Sequence, residues 1–415
     1  MSVIIGFHKD FDREIDIVQD GASVSIQEPG QTSETRSIIE RRDRVIGNGP
    51  TTGAGVFDFR YGPFTGGFPE AGIVHYYTYG ERILSVEIDL SKKHRAIEAS
   101  LAGRRVNEAG ALVAGLCGNF AAAHTVAFAR AVESALNIGV PEVVQRYRIA
   151  AIEIERIYNH LYVIMRLATA AAQKVLAAHL GALFEETLRI SEALTGTRGI
   201  GPAVIALDET TQSAGTEIAK RLEGVLRTFE KLHRRSLSSR NYLDRLHGTS
   251  IVRAESALER GLTGPSLRSC GIGVDLRSED PLMSDFRVRT KAEADAFARM
   301  ETRAEEIFDA CRIAIDQLGR FSSANLTTAK GSLAGQLVKN TKGGLRRVGL
   351  GAVESPSGTI AWCVSMDGGN IESASVSTPS VFGFQAYADA VVGNIFTDVP
   401  FAIESFGVSF ADAGR

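Results

Sequence analysis

The sequence predicts an α+β fold, a helical-bundle core flanked by small antiparallel sheets from both chain ends. Two observations carry this. Period-two alternation of β-branched and aromatic residues marks residues 73–90 and returns over 347–378. Between these stretches, from His94 to about Leu318, apolar residues mostly recur at helical spacing. No internal repeat or low-complexity linker divides them, so one interwoven unit is expected over 61–415, preceded by a strand and loop extension over 1–60. The two chain ends are expected to meet in a small sheet.

Residues 1–60 are polar and Gly/Thr-rich, with short alternating stretches such as Val24-Ser-Ile-Gln. Ile73 to Tyr79 and Ile83 to Leu90, joined by Gly80-Glu81, read as a hairpin. The run from Ala109 to Ala129 carries no charge and tempts a membrane-spanning assignment. Its Gly and Ala content, with Asn119, His124 and flanking arginines, fits a buried helix in a soluble core instead. Pro141 then opens a long helix near Glu142, on which Glu153, Arg156 and His160 fall at i, i+3 and i+7 and share a face. That face is either a solvated ion-pair row or a polar surface turned toward a buried site or another subunit. Further helices are expected over about 216–246 and 291–318, with loop between them at 260–285. Strands follow over 347–350, 360–366 and 373–378, then a short helix over 386–395 and a tail.

Bulk properties exclude some classes of function. The net charge of −3 gives no basic footprint for nucleic acid. The N-terminus has no basic region followed by an apolar core, so no signal peptide is expected. Four cysteines, at 117, 270, 311 and 363, form no Cys-x-x-Cys pair and suit a reducing cytoplasm.

Five stretches stand out between about Gly62 and Arg415: Gly62-Pro63 with Glu70, His94 to Glu98, Arg148 to His160, Gly264 to Gly271, and Glu354 to Gly358 with Asp367-Gly-Gly. Together, and in this order, they resemble the large-subunit family shared by membrane-bound energy-converting [NiFe] hydrogenases and the D-type subunits of NADH-quinone oxidoreductase. Gly62-Pro63 with Glu70 is similar to its Gly-Pro…Glu opening, and His94-Arg95-Ala-Ile-Glu98 to its His-Arg-Gly-x-Glu. Arg148 to His160 resembles its Arg-x-x-x-x-Glu-x-x-Arg-x-x-x-His helix. Gly264-Pro-Ser-Leu-Arg268-Ser-Cys-Gly271 resembles Gly-Pro-x-x-Arg-Ala-Ser-Gly. Glu354-Ser-Pro-Ser-Gly358 with Asp367-Gly-Gly resembles Glu-Ala-Pro-Arg-Gly…Asp-Gly-Gly. The resemblance implies a hydrogenase large-subunit-like fold.

The departures narrow the chemistry. A [NiFe] centre in this family takes four thiolates, from Arg-x-Cys-Gly-x-Cys-x-x-x-His and Asp-Pro-Cys-x-x-Cys-x-x-Arg, because soft metals require sulfur-rich shells. Here the first motif reads Gly115-Leu-Cys117-Gly-Asn-Phe120-Ala-Ala-Ala-His124, and the second Gly407-Val-Ser409-Phe-Ala-Asp412-Ala-Gly-Arg415. Phe120, Ser409 and Asp412 stand at three of the four ligand positions, so no metal is expected and hydrogenase activity is not. The chain ends where processed hydrogenase subunits end, which suits a history without nickel insertion. The complex I branch clamps a quinone with a histidine of the opening loop and a tyrosine near the first motif. The opening loop here has no histidine, and Gly118 aligns with the tyrosine, leaving His75, Tyr76 and Tyr77 as substitutes if loops shift.

The resemblance thus implies a peripheral subunit on the cytoplasmic side of an inner membrane, with no cofactor of its own. Its partners would be a small B-type Fe-S subunit that holds a [4Fe–4S] cluster, a C-type protein and a membrane arm of antiporter-like subunits. NAD and quinone binding are expectations the family name carries. Cys117, Phe120, His124, Ser409 and Asp412 would line a vestigial pocket open to a quinone. Glu70 would relay protons, and His94, Arg95, Glu98, Glu153, Arg156 and His160 would form a charged network between the pocket and the membrane arm. The alternative is a structural subunit that keeps the fold for assembly only.

Overall fold

Among the described residues, three antiparallel sheets frame the helices. The first is β1 (Ser2–Asp10), β2 (Arg13–Asp20) and β3 (Ser23–Gln27) in that order. The second comprises β4 (Val45–Gly47), β5 (Val56–Tyr61), β6 (Ile73–Tyr79) and β7 (Arg82–Asp89), ordered β4-β7-β6-β5. The third, ordered β10-β9-β8, comprises β8 (Arg346–Ser355), β9 (Gly358–Asp367) and β10 (Asn370–Ser377). The computed structural model describes residues 2–10, 13–28, 45–64, 69–198, 215–320, 323–341 and 346–415.

The β6–β7 hairpin turns at Gly80 and Glu81, where Gly80 takes a φ of 56°, left-handed backbone that glycine adopts at little steric cost. Its alternation buries Val74, Tyr76, Ile83, Val86 and Ile88. Strand β5 crosses residue 60 and pairs with β6, so the stretches 1–60 and 61–415 share a sheet. The chain ends do meet, but not in a common ladder. β1 bonds only to β2, and β10 only to β9, among the described strands. Side chains join the two sheets instead: Ile5, Ile15 and Ile17 pack with Ala361 and Cys363, and the ring of buried His8 lies 2.8 Å from Ser365 Oγ.

The helices are α1 (Ile97–Leu101), α2 (Val106–Ala114), α3 (Ala121–Leu136), α4 (Glu142–Ala170), α5 (Lys174–Thr195), α6 (Gly215–Ser236) and α7 (Arg240–Leu243). They continue with α8 (Ala254–Glu259), α9 (Gly264–Arg268), α10 (Ala296–Gly319), α11 (Ser323–Asn340), α12 (Pro379–Val391), α13 (Val399–Phe406) and α14 (Phe410–Gly414). The uncharged run is two helices, α2 and α3, broken by a turn at 115–120. Its small residues have a packing reason. Ala127, Ala131 and Ala135 of α3 lie against Gly349 and Gly351 of β8, where a methyl on Gly349 would come within 2.8 Å of the Ala135 Cβ. Only small residues allow a helix to approach a strand that closely. The bundle is built on α4, which packs against both α5 and α10. Helix α10 starts from an N-cap, Asp295, whose carboxylate accepts from the Ala298 N–H at 2.8 Å. Among the described residues no helix is long and apolar enough to cross a membrane.

Candidate functional site

The turn that ends α2 brings Cys117 and Phe120 into the core, both fully buried, with Phe120 directly before α3. Arg95 grips this turn from outside, donating to the carbonyls of Gly115 (2.7 Å) and Leu116. From the other end of the chain, Ser409 caps α14, its Oγ accepting the Asp412 N–H at 3.3 Å. The same hydroxyl donates its one proton to the Glu70 carboxylate, 3.0 Å from each oxygen. Cys117 Sγ, 3.3 Å from Ser409 Oγ, is therefore the donor in that contact. Burial, with Asp412 and Glu70 nearby, pushes the thiol well above its ordinary range, so it keeps the proton it donates.

Asp412 is equally committed. Its Oδ1 lies 2.9 Å from His124 Nε2, and its Oδ2 accepts the Ser380 N–H at 3.2 Å. The Trp362 indole, which can only donate, points its Nε1 at His124 Nδ1 from 3.3 Å. The His124 proton therefore sits on Nε2 and goes to Asp412. The Cys117 thiol, the Ser409 hydroxyl and the Asp412 carboxylate are thus each engaged by a neighbour. One protonated thiol, one hydroxyl and one carboxylate do not fit a nickel–iron centre. Among the described residues no group of three or more His, Cys, Asp or Glu side chains is arranged to hold a metal ion.

Helix α4 carries two polar stripes. Glu153, Arg156 and His160 are buried, with side chains 2%, 0% and 0% exposed, which removes the solvated-row reading. Arg156 Nε donates to Glu153 (3.1 Å), and its other nitrogens reach the Ser355 and Glu354 carbonyls at 3.0 and 2.7 Å. Glu306 of α10 accepts from Arg268 (2.8 Å) and lies 3.1 Å from His160 Nε2. Arg277 bridges Glu153 (3.1 Å) and Asp275 (2.7 Å), while Arg268 also binds Glu354 (2.7 Å). Arg303 donates to His160 Nδ1 at 3.2 Å, which fixes the His160 proton on Nε2. Burial lowers His160 to about 3 and Arg303 to about 9. Burial opposes ionisation of Glu306, but Arg268, the His160 hydrogen bond and Arg277 outweigh it and hold the carboxyl well below its usual range.

The second stripe, Glu155, Asn159, Tyr162 and Arg166, has no counterpart among the sequence-predicted site residues. Glu155 accepts from the Ala122 and Ala123 N–H groups at 2.6 and 3.0 Å, capping α3 from a different helix. Burial raises its carboxyl to about 8, against those two hydrogen bonds. Asn159 and Tyr162 line a cleft with Glu70, Asn119, Phe384 and Glu404. Asn159 Oδ1 is buried and has no hydrogen-bond partner among the described residues. Arg166 closes one side through Glu404, at 2.6 Å. The cleft leaves about 40 Å³, room for water or a single polar group rather than a ring.

The structure does not join the remaining expected residues to the α4 cluster. His94 and Arg95 are exposed. His94 Nδ1 lies 2.9 Å from the Arg415 carbonyl, and Glu98 accepts from the Val376 N–H at 2.8 Å, so this motif anchors α14 and β10. His75, Tyr76 and Tyr77 do not reach the cleft. They are held by Asp58 (3.1 Å), Tyr387 (2.6 Å) and Glu87 (2.7 Å), on strands whose register fixes them. Residues Thr65 to Phe68 of the opening loop lie outside the described residues.

Known proteins share this architecture. The family described as respiratory-chain NADH dehydrogenase, 49 Kd subunit, matches residues 182–415. The chain is 27% identical to the NADH-quinone oxidoreductase D subunit of Thermosipho melanesiensis, over 86% of this chain and 98% of that one. It is 26% identical to the F(420)H(2) dehydrogenase D subunit of Methanosarcina mazei, over 55% of this chain and 63% of the relative. Its fold matches a chain in the structure of the membrane-bound sulfane sulfur reductase, an archaeal respiratory membrane complex. The TM-score is 0.75 at 20% identity, covering 87% of this chain and 98% of that one.

Proposed function

Because the chain belongs to the respiratory-chain NADH dehydrogenase 49 kDa subunit family, we propose that it serves as the large peripheral subunit of a membrane-bound respiratory oxidoreductase. In this reading it sits on the cytoplasmic side and takes electrons from the [4Fe–4S] cluster of a small B-type partner. It passes them to a quinone or similar small acceptor. A C-type protein and an antiporter-like membrane arm complete the assembly and couple reduction to ion movement.

The observation that carries the acceptor site is the cleft beside the remodelled pocket, where orphaned Asn159 Oδ1 and Tyr162 face Glu70. A buried acceptor without a partner calls for a donor. A hydroquinone hydroxyl supplies one, and the Tyr162 hydroxyl can donate to a quinone oxygen before reduction. Because the space is small, the acceptor enters with an oxygen atom and keeps its ring at the mouth. Reduction of a quinone consumes two electrons, from the partner's cluster, and two protons. In this reading Glu70, which accepts from the Ser409 hydroxyl and the Ala411 N–H, relays one, and water at the cleft mouth supplies the other.

The interlocked pocket favours a second reading, a structural subunit with no acceptor. The purified complex separates the two. Tyr162→Phe and Asn159→Leu are expected to lower quinone-dependent turnover roughly ten-fold or more while leaving the set of assembled polypeptides unchanged. Turnover at the parent rate in both variants, with no protection by a quinone analogue, would leave the structural reading standing.

A further inference from the structure

The segment 281–289 and the second half of α10 enclose a cleft of about 460 Å³. Its floor is apolar: Leu282, Met283, Phe286 and Ile313 are all only half-buried. Five arginines line it against three aspartates, and Glu142 just outside pairs with Arg146, so the rim keeps one net positive charge. The segment is held at both ends. Arg289 grips Asp309 with two bonds of 2.8 and 3.0 Å, and Gln317 Nε2 donates to the Leu282 carbonyl at 3.1 Å. The Arg277 guanidinium stacks on Phe286, 4.3 Å from the ring centroid. The cleft is thus preformed, which lowers the cost of ordering it on binding.

The charges say what it would take. Arg146, Arg289, Arg312 and Arg320 each already hold a carboxylate, on Glu142, Asp309, Asp309 and Asp316. Arg287 donates only to the Ser284 and Phe286 carbonyls, at 3.2 and 2.9 Å, and has no carboxylate partner among the described residues. A multiply charged small anion needs several uncommitted donors at one point. An apolar floor with a positive rim suits a peptide anchor flanked by acids.

We propose that this cleft docks an acidic segment of a partner subunit, with one aliphatic or aromatic side chain on the floor and Asp or Glu facing Arg287 and the exposed Arg312, which holds Asp309 through Nη1 at 3.1 Å. The inference rests on the chain's role as one subunit of an assembly, and not on any acceptor chemistry. Placing a benzophenone amino acid at position 313 in the assembled complex tests it, with the cross-linked segment read by mass spectrometry. The expected product joins Ile313's position to an acidic stretch of another subunit, and Arg287→Glu with Arg312→Glu reduces the yield roughly ten-fold. Isolated full-length chain supplies a second arm, with its melting curve checked in the double variant. A fluorescein-labelled peptide with a Leu-Phe centre flanked by Glu and Asp should bind, weaken at high salt, and bind at least ten-fold more tightly than its Lys-flanked counterpart. A cross-link to lipid or to a basic segment, no cross-link, or equal binding of both peptides overturns the proposal. Quinone turnover is unaffected by these outcomes, so this inference and the acceptor reading fail separately.

Discussion

His124 and His160 are both fully buried and wired alike: a donor-only group on Nδ1, a carboxylate on Nε2. Their surroundings differ. Around His124 the donor is a neutral indole, and the carboxylate's other oxygen takes a backbone N–H. Around His160 the donor is a guanidinium, and Glu306 is shared with Arg268, Arg277 and Arg156. The pocket is closed largely by local hydrogen bonds that neighbours can re-form. The cluster is a set of buried ions in which each charge depends on the others. Two regions of one core therefore differ in tolerance.

The cluster should show the larger effect. Glu306→Gln leaves guanidiniums of Arg268 and Arg277 buried with one anion fewer, and a loss of about 3–5 kcal/mol is expected in urea or thermal unfolding of the purified chain. The pH dependence has a definite sign. Glu306 is held well below the ordinary carboxyl range in the folded chain. Its contribution is present above its unfolded pKa and is lost as pH falls through the folded one. A loss under about 1 kcal/mol would remove the distinction between the two regions. The pocket should lose less. Asp412→Asn can still accept from His124, but its amide nitrogen then faces the Ser380 N–H, donor against donor. About 1–3 kcal/mol is expected for that single unsatisfied contact. An effect as large as that of Glu306→Gln would show that the pocket also behaves as an ionic unit.

How much of this is legible in the sequence follows from the range of each signal. The β6–β7 hairpin is legible because its period-two alternation and its turn are local. Glu153, Arg156 and His160 are legible as one face of a helix, but whether that face meets water depends on Arg268, Glu306 and Glu354, which lie far along the chain. The second stripe of α4 has an equally regular spacing, 4-3-4, yet its meaning comes from Glu70, Phe384 and Glu404 across the fold. The break at 115–120 is hidden because Gly and Ala carry no amphipathic signal. Helix α11 is hidden too, since Gly331 and Gly335 dilute its pattern. Family motifs point to Cys117, Ser409 and Asp412, which the fold brings together, while His94 and Arg95, read from the same motifs, lie outside that group rather than in the α4 cluster.

The smallest effect, read per unit of pH, tests the comparison most finely, because it sets a carboxyl of α4 against one of α10. Glu155, on the pocket side, accepts hydrogen bonds but meets no guanidinium in them, and burial raises it from 4.5 to about 8. Glu306, on the cluster side, moves the opposite way. A raised carboxyl means that the folded chain holds a proton the unfolded chain releases between these two values. Glu155 should therefore cost stability progressively as pH rises from about 5 to 8. Glu155→Gln removes that slope while keeping one acceptor for the α3 N–H groups. The difference in unfolding free energy between variant and parent is expected to shift in the variant's favour by about 1 kcal/mol for each pH unit inside that interval. A flat difference over this interval would place Glu155 as an ordinary charged cap, stabilised by the Ala122 and Ala123 N–H groups at least as much as burial penalises it. A slope of the opposite sign below pH 4.5 would put it with Glu306, and the line between the two sides of α4 would then fall elsewhere.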